Sequence, residues 1–226
     1  MMAETNHFSI VIIGDMNPRI HHPSWYKLRN IIDEKDASFA IERNDLVCTP
    51  PLSQFVTPNS QINCRQDRWE ILTERKENSS LILDITKKTF KRLHETPINA
   101  YGFNFIFQRK TSCSDVGKIL SDLVHTMQIG IPDVAGSASI TYRWKKSIRM
   151  TTITINPIKD NESMLYLAVN MHYNIPDLVS TPSPSHFDLD ELVSKHFLND
   201  EKEAYEIVNN IINSFEPKET SHVIGA

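Results

Sequence analysis

Asp67, Glu74 and Lys76 come closest to a catalytic grammar in this chain. Two carboxylates followed by a lysine are the parts of a metal-dependent nuclease, where the acids converge on Mg2+ and the ammonium stands beside the attacking water. The triplet Glu74-Arg75-Lys76 also suits an ordinary charged turn, and a fold that held these groups far apart would exclude the enzyme. His21 and His22, close to Asp15, raise a metal site. Adjacent residues on an extended chain point opposite ways, so a loop or surface role is expected and no metal is assigned. His172 stands beside Asn170 and would make an acid-base pair with Asp188 or His186, although a solvent-facing histidine is the plainer expectation.

A cationic cluster offers different chemistry. Arg143, Lys145, Lys146 and Arg149 are interleaved with Tyr142 and Trp144. Cations neutralise phosphates and aromatic rings stack on bases, so residues 142–149 are the nucleic-acid candidate. A hairpin tip whose lysines discourage edge pairing explains the same residues and is preferred. The net charge of -4 and pI near 6.1 argue against bulk attraction to polyanions. Lys87, Lys88, Lys91 and Arg92 read as the wet side of a helix.

Other chemistries lack their parts. Gly14 and Gly102 are isolated and no glycine-rich phosphate loop exists. There is no Gly-x-Ser-x-Gly elbow and no paired-cysteine zinc motif. Cys48, Cys64 and Cys113 are too few and too scattered for a disulfide framework and read as reduced thiols. The expectation is therefore no catalytic residue, no cofactor and a cytoplasmic protein. The apolar run at 8–13 is a strand and not a signal peptide, and no stretch is long enough to span a membrane.

The elements that would hold these residues are legible from periodicity. With 226 residues, 40% hydrophobic and 23% charged, the chain suits one large domain or two small ones. Strands are expected at 8–13, at 46–57 with a break at Pro50-Pro51, and at 60–73 with a bend at Gln66-Asp67. Helices are expected at 24–32, with Ser24 as N-cap, and from Ser79 to about Leu93; the segment 33–45 is polar and ambiguous. After Pro97 a strand at 100–108 alternates Tyr101, Phe103, Phe105 and Phe107 toward a core. A helix at 114–127 carries Val116, Ile119, Leu120, Leu123, Val124 and Met127 on one stripe. Strands at 137–144, 149–158 and 164–174 form a meander. Loops at 130–136 and 176–184, a short helix from Asp188 to Phe197, a last helix at 201–215 and a frayed tail at 218–226 complete the chain.

The two parts repeat one sentence of elements. Residues 1–97 form a β-α-β-β-α half and residues 98–226 a β-α-β-β-β-α half. The expected fold is α+β, with the halves joined into one continuous curved antiparallel sheet and helices on one face. That arrangement resembles the duplicated saddle of the TATA-binding-protein fold, an analogy of topology that carries no function.

Two segments bring a family to mind: Thr96-Pro97-Ile98-Asn99-Ala100-Tyr101-Gly102-Phe103-Asn104-Phe105, which follows an amphipathic helix, and Gly14-Asp15-Met16-Asn17-Pro18. On these the chain resembles a sporadically distributed bacterial family with no assigned activity. The resemblance implies the two-part fold and, in some members, a place among mobile or defence-related genes; it implies no catalytic residues. The expected function is a non-enzymatic protein-interaction or assembly subunit, with a protein partner or a second copy of itself, that uses its sheet face or an edge strand. A nucleic-acid binder working through 142–149 is the alternative, and a metal-dependent nuclease the third reading.

Overall fold

The computed structural model describes residues 5–126, 138–159, 161–175 and 189–215. Its strands are β1 (Thr5–Gly14), β2 (Val47–Cys48), β3 (Leu52–Val56), β4 (Gln61–Arg65), β5 (Arg68–Thr73), β6 (Ile98–Lys110), β7 (Ile140–Lys146), β8 (Arg149–Ile158) and β9 (Asn161–Asn174). Its helices are α1 (Pro23–Leu28), α2 (Glu34–Glu42), α3 (Ser79–Arg92), α4 (Val116–Thr126) and α5 (Leu189–Ser214). All nine strands pair antiparallel in one sheet, in the order β2-β3-β4-β5-β1-β6-β9-β8-β7. The protein is α+β. No described helix is long and apolar enough to cross a membrane.

Period-two alternation sets what each face holds. On one face, register aligns Trp69 with Ile12, Ile12 with Tyr101, and Tyr101 with Tyr173. Phe8, Phe105 and Val169 make a second row, and Ile10, Phe103 and Met171 a third. These side chains are all buried. Each large one removed from water contributes ~2–3 kcal/mol. Helix rings close over them edge-on: Tyr26 of α1 against Phe55, Phe90 of α3 against Trp69, and Phe197 of α5 against Phe103. Every ring contact between a described helix and the sheet uses this face. The other face, called open here, carries half-buried and exposed residues such as Gln54, Asn63, Arg65, Asn104, Asn170, Thr152 and Arg143.

Sequence order and space meet at Gly14. A Cβ there would stand 2.1 Å from the Pro97 carbonyl oxygen, so the position admits only glycine. The Asp15 N–H donates to that same carbonyl at 2.9 Å, and the Asn17 side chain accepts from the Arg19 N–H. The segments 14–18 and 96–105 thus touch at the end of the central β1–β6 pair.

Three elements differ from the periodicity reading. Residues 34–42 are helical, with Asp33 accepting from the Asp36 N–H at 2.8 Å as N-cap. The inner residues of α2 are Ala37 and Ala40, too small to make a visible apolar stripe. At α1 the cap is the His22 ring, which accepts from the Ser24 N–H, and the helix stops before Asn30, whose φ is 55°. The two expected C-terminal helices are one helix of 26 residues. No glycine or proline interrupts 198–201, and Asp200 faces inward and keeps the helical stripe continuous. The proline pair does separate β2 from β3, and Gln66-Asp67 does separate β4 from β5. Met127, the beginning of the 137–144 strand, the loops at 130–136 and 176–184, Asp188 and the tail lie outside the described residues.

Candidate functional site

Two residues, Ser147 and Ile148, join β7 to β8 so that Lys146 pairs with Arg149. Ser147 has a φ of 56°, the sign that a tight hairpin demands at its first central position. Alternation then divides the six cluster residues. Arg143 and Lys145 lie on the open face, where Arg143 Nε donates to Thr152 Oγ1 at 3.1 Å. Tyr142, Trp144 and Lys146 lie on the helix side. The Tyr142 and Trp144 rings are 5.4 Å apart, Trp144 packs against the core, and Tyr142 is 65% exposed at the rim.

Arg149 turns inward and is only 7% exposed. Its Nη1 donates to Asp200 Oδ1 at 2.6 Å and to Glu203 Oε2 at 2.8 Å, and its Nη2 donates to Glu203 Oε1 at 2.5 Å. The structure therefore separates Arg149 from the other five residues and spends its charge on α5. Burial alone would lower the Arg149 pKa, but the Glu203 and Asp200 contacts outweigh it and hold the guanidinium charged. Hydrogen bonding to Arg149 holds the Glu203 carboxyl below its ordinary value.

This ion group is the centre of a polar chain that motif reasoning missed. Tyr173 donates to Asp200 Oδ2 at 2.7 Å, and the Tyr173 ring stacks against both Tyr101, at 4.9 Å, and His196, at 4.4 Å. Tyr101 and His196 also meet through a 2.6 Å hydrogen bond. Burial raises the Asp200 carboxyl, opposed by Tyr173 and Arg149, and burial lowers His196, with Lys195 and Arg149 adding to the effect. Arg149 Nε is buried without a hydrogen-bond partner among the described residues. A signal did exist in the sequence: Val193, Phe197, Asp200, Ala204 and Val208 keep helical spacing, so one carboxylate occupies a core position of the stripe. The group ties the β8 side of the sheet to α5 by charge-assisted bonds.

A second buried group lies under the other end of the sheet. His21, expected at a loop or surface, is 1% exposed; its Nδ1 is 2.6 Å from the Tyr26 hydroxyl, which also accepts from Trp69 Nε1 at 2.9 Å. Burial lowers the His21 pKa to about 4. His22 is spent on the α1 cap, so the two rings do not share an ion. No group of three or more His, Cys, Asp or Glu with metal-binding placement occurs among the described residues.

The nuclease triad is not brought together. Asp67 precedes β5 and Glu74 follows it, which by strand rise sets them roughly 20 Å apart. Glu74 is 4.0 Å from His7, and the Lys76 ammonium lies 4.2 Å from the Tyr205 ring centre. His172, on the open face, bonds Asn174 at 2.9 Å; His186 and Asp188 lie outside the described residues. Cys48 is exposed, Cys64 buried and Cys113 half-buried, all as free thiols. On α3, Lys88 pairs with Asp84 at 2.7 Å, while Lys87 reaches Asp190 on α5 at 3.4 Å.

The open face is polar across its centre. Asn170 donates to Asn104 Oδ1, Asn104 donates to Ser9 Oγ at 2.8 Å, and register continues this row through Thr152 to Arg143. At the far end, Leu52, Gln54, Asn63, Arg65, Arg68 and Glu70 line a depression of about 310 Å3. No protein-family model matches this sequence, and no curated protein matches it.

Proposed function

We propose that the chain is a non-enzymatic subunit that binds a protein partner along the β7 edge of its sheet. The observation that carries this reading is the position of β7: it ends the strand order, is seven residues long and is mostly exposed. Its outer backbone groups can pair with an extended segment, and Tyr142 beside Trp144 supplies an apolar anchor. Arg143, Lys145 and Lys146 favour an acidic segment and oppose pairing with a second, equally cationic β7. In a tight hairpin the residues flanking the turn bond to each other, so alternation leaves the Thr141 N–H pointing outward. Thr141→Pro would block strand addition and spare the β7–β8 ladder. In co-purification from the producing cell followed by mass spectrometry, one defined partner retained by the wild type should be lost by Thr141→Pro and kept by Lys91→Glu. Equal retention by Thr141→Pro would remove this reading.

A nucleic-acid reading is favoured by the exposed Tyr142 ring among Arg143, Lys145 and Lys146, with Arg149 no longer counted. It predicts a salt-dependent affinity that Lys145→Glu with Lys146→Glu abolishes. Binding that ignores salt, or no binding, excludes it.

We infer as well that residues 1–97 and 98–226 descend from one copied unit. The strand order supports this. Each part places its first strand, β1 or β6, at the sheet centre and its last strand, β5 or β9, next to it, with the others running outward. Helices α3 and α5 follow those last strands in the two parts.

A further inference from the structure

We propose that the depression on the open face of β3, β4 and β5 is a binding site for a phosphate group. Arg65 and Arg68 stand on either side of the two-residue turn Gln66-Asp67, one step beyond the paired Cys64 and Trp69, and both line the depression. Like charges facing each other across two strands destabilise the pair unless an anion lies between them. Glu70 is the one carboxylate in the lining among the described residues, and it is engaged with Arg68 at 3.0 Å. The Arg65 side chain has no hydrogen bond or ion pair among the described residues. Leu52 faces Arg65 on register, and Gln54 and Asn63 lie one same-face step along the strands, with Asn63 paired to both Gln54 and Glu70. Asn63 Oδ1 accepts from Gln61, which leaves its Nδ2 protons to donate. The unspent groups are therefore one full guanidinium, part of a second, and amide N–H donors, set against a single carboxylate.

That donor set fits the several acceptor oxygens of a phosphate, which arginine forks meet in a bidentate way. Two backbone bonds pin the turn that carries the arginines. The Gly14 N–H donates to the Asp67 carbonyl at 3.2 Å, and the Met16 N–H to the Gln66 carbonyl at 2.7 Å. The volume is at the lower end of ligand sites and exceeds what one small anion needs. Leu52 and Gln54 would lie beneath the remainder of a phosphorylated molecule. The site is independent of the β7 reading, since β4 and β7 are separated by five strands of the order.

The test uses the full chain and two probes, inorganic phosphate and a short single-stranded oligonucleotide, each at constant ionic strength with chloride as reference. Amide chemical shifts should move saturably at Gln54, Asn63, Arg65 and Arg68 with phosphate. Arg65→Ala with Arg68→Ala should weaken that binding at least tenfold while its melting curve stays cooperative, and Arg143→Ala with Lys145→Ala should leave it unchanged. If the oligonucleotide binds more tightly than phosphate and both double variants weaken it, the phosphate belongs to a polymer crossing the face. If only the Arg65/Arg68 variant responds, it belongs to a small phosphorylated molecule. Either result supports the site. Shifts that do not saturate, that chloride reproduces, or that survive in the Arg65/Arg68 variant overturn it.

Discussion

At the residue scale, His21 is where burial and titration meet. In the unfolded chain its ring takes a proton near the ordinary 6.5, whereas in the folded protein it resists until about 4. The unfolded state therefore binds more protons between these values, and stability falls as pH drops from about 6.5 toward 4, by ~3 kcal/mol over the window. Urea unfolding at a series of pH values should show this slope, and His21→Gln should flatten it by close to one proton. An unchanged slope would mean that the ring already titrates normally in the fold. Gly14 is the second decisive residue. Gly14→Ala places a methyl group against the Pro97 carbonyl, and a loss of ~3 kcal/mol or more is expected by chemical denaturation, since backbone must move to accept it. Both positions were visible in the sequence, Gly14 inside a quoted motif and His21 as a metal candidate. Their roles were not visible, because close approach and burial depend on which distant segment lies opposite.

At the element scale, α5 depends on more than its apolar stripe. Asp200 is 2% exposed and faces Arg149 and Tyr173. Asp200→Ala should cost ~3–5 kcal/mol, because it leaves a buried guanidinium with one partner fewer. Asp200→Asn should cost less, since it still accepts from Tyr173. A pair of denaturation curves separates the two, and equal losses would argue that the cavity matters and the charge does not. The β7–β8 turn offers the opposite change. Ser147 holds a left-handed φ that costs a residue with a side chain ~1 kcal/mol, so Ser147→Gly should raise stability by up to that amount. The Thr141→Pro test belongs to this scale too, because it acts on one rim of one strand. The hairpin itself was legible from alternating Tyr142 and Trp144, although Lys145 and Lys146, expected in the turn, extend β7 and leave the turn to Ser147 and Ile148. The continuous α5 was not, since the polar Asn199-Asp200 step looks like a break until Asp200 is seen to face the core.

At the scale of the whole molecule, the β1–β6 pair is the seam between residues 1–97 and 98–226. The pairing runs from Thr5 against Gln108 to Gly14 against Ile98, and one apolar core extends through both parts. Central ladders buried on one face open only with global unfolding, while edge strands open locally. Hydrogen exchange should therefore be slowest for amides of β1 and β6 and fastest in β2 and β7. Co-expressed as separate chains, 1–97 and 98–226 should assemble through this seam, and each alone should aggregate, because a flat apolar strand edge would be uncovered. Independent, soluble folding of either part, judged by sedimentation and amide dispersion, would refute a shared core.

The amino-acid sequence alone determined the α+β composition, most strands, the sites of the breaking prolines and the core identity of Tyr101, Phe103, Phe105 and Phe107. These follow from local rules of period, propensity and turn chemistry, which neighbours in sequence carry by themselves. Only the tertiary structure decided which charges face inward and which stay outside. It buried Arg149 on Asp200 and Glu203, parted Asp67 from Glu74 along a strand, and set Arg65 beside Arg68 above a single carboxylate. Coulombic and hydrogen-bond partners are chosen by strand register and helix placement, which join residues far apart in the chain.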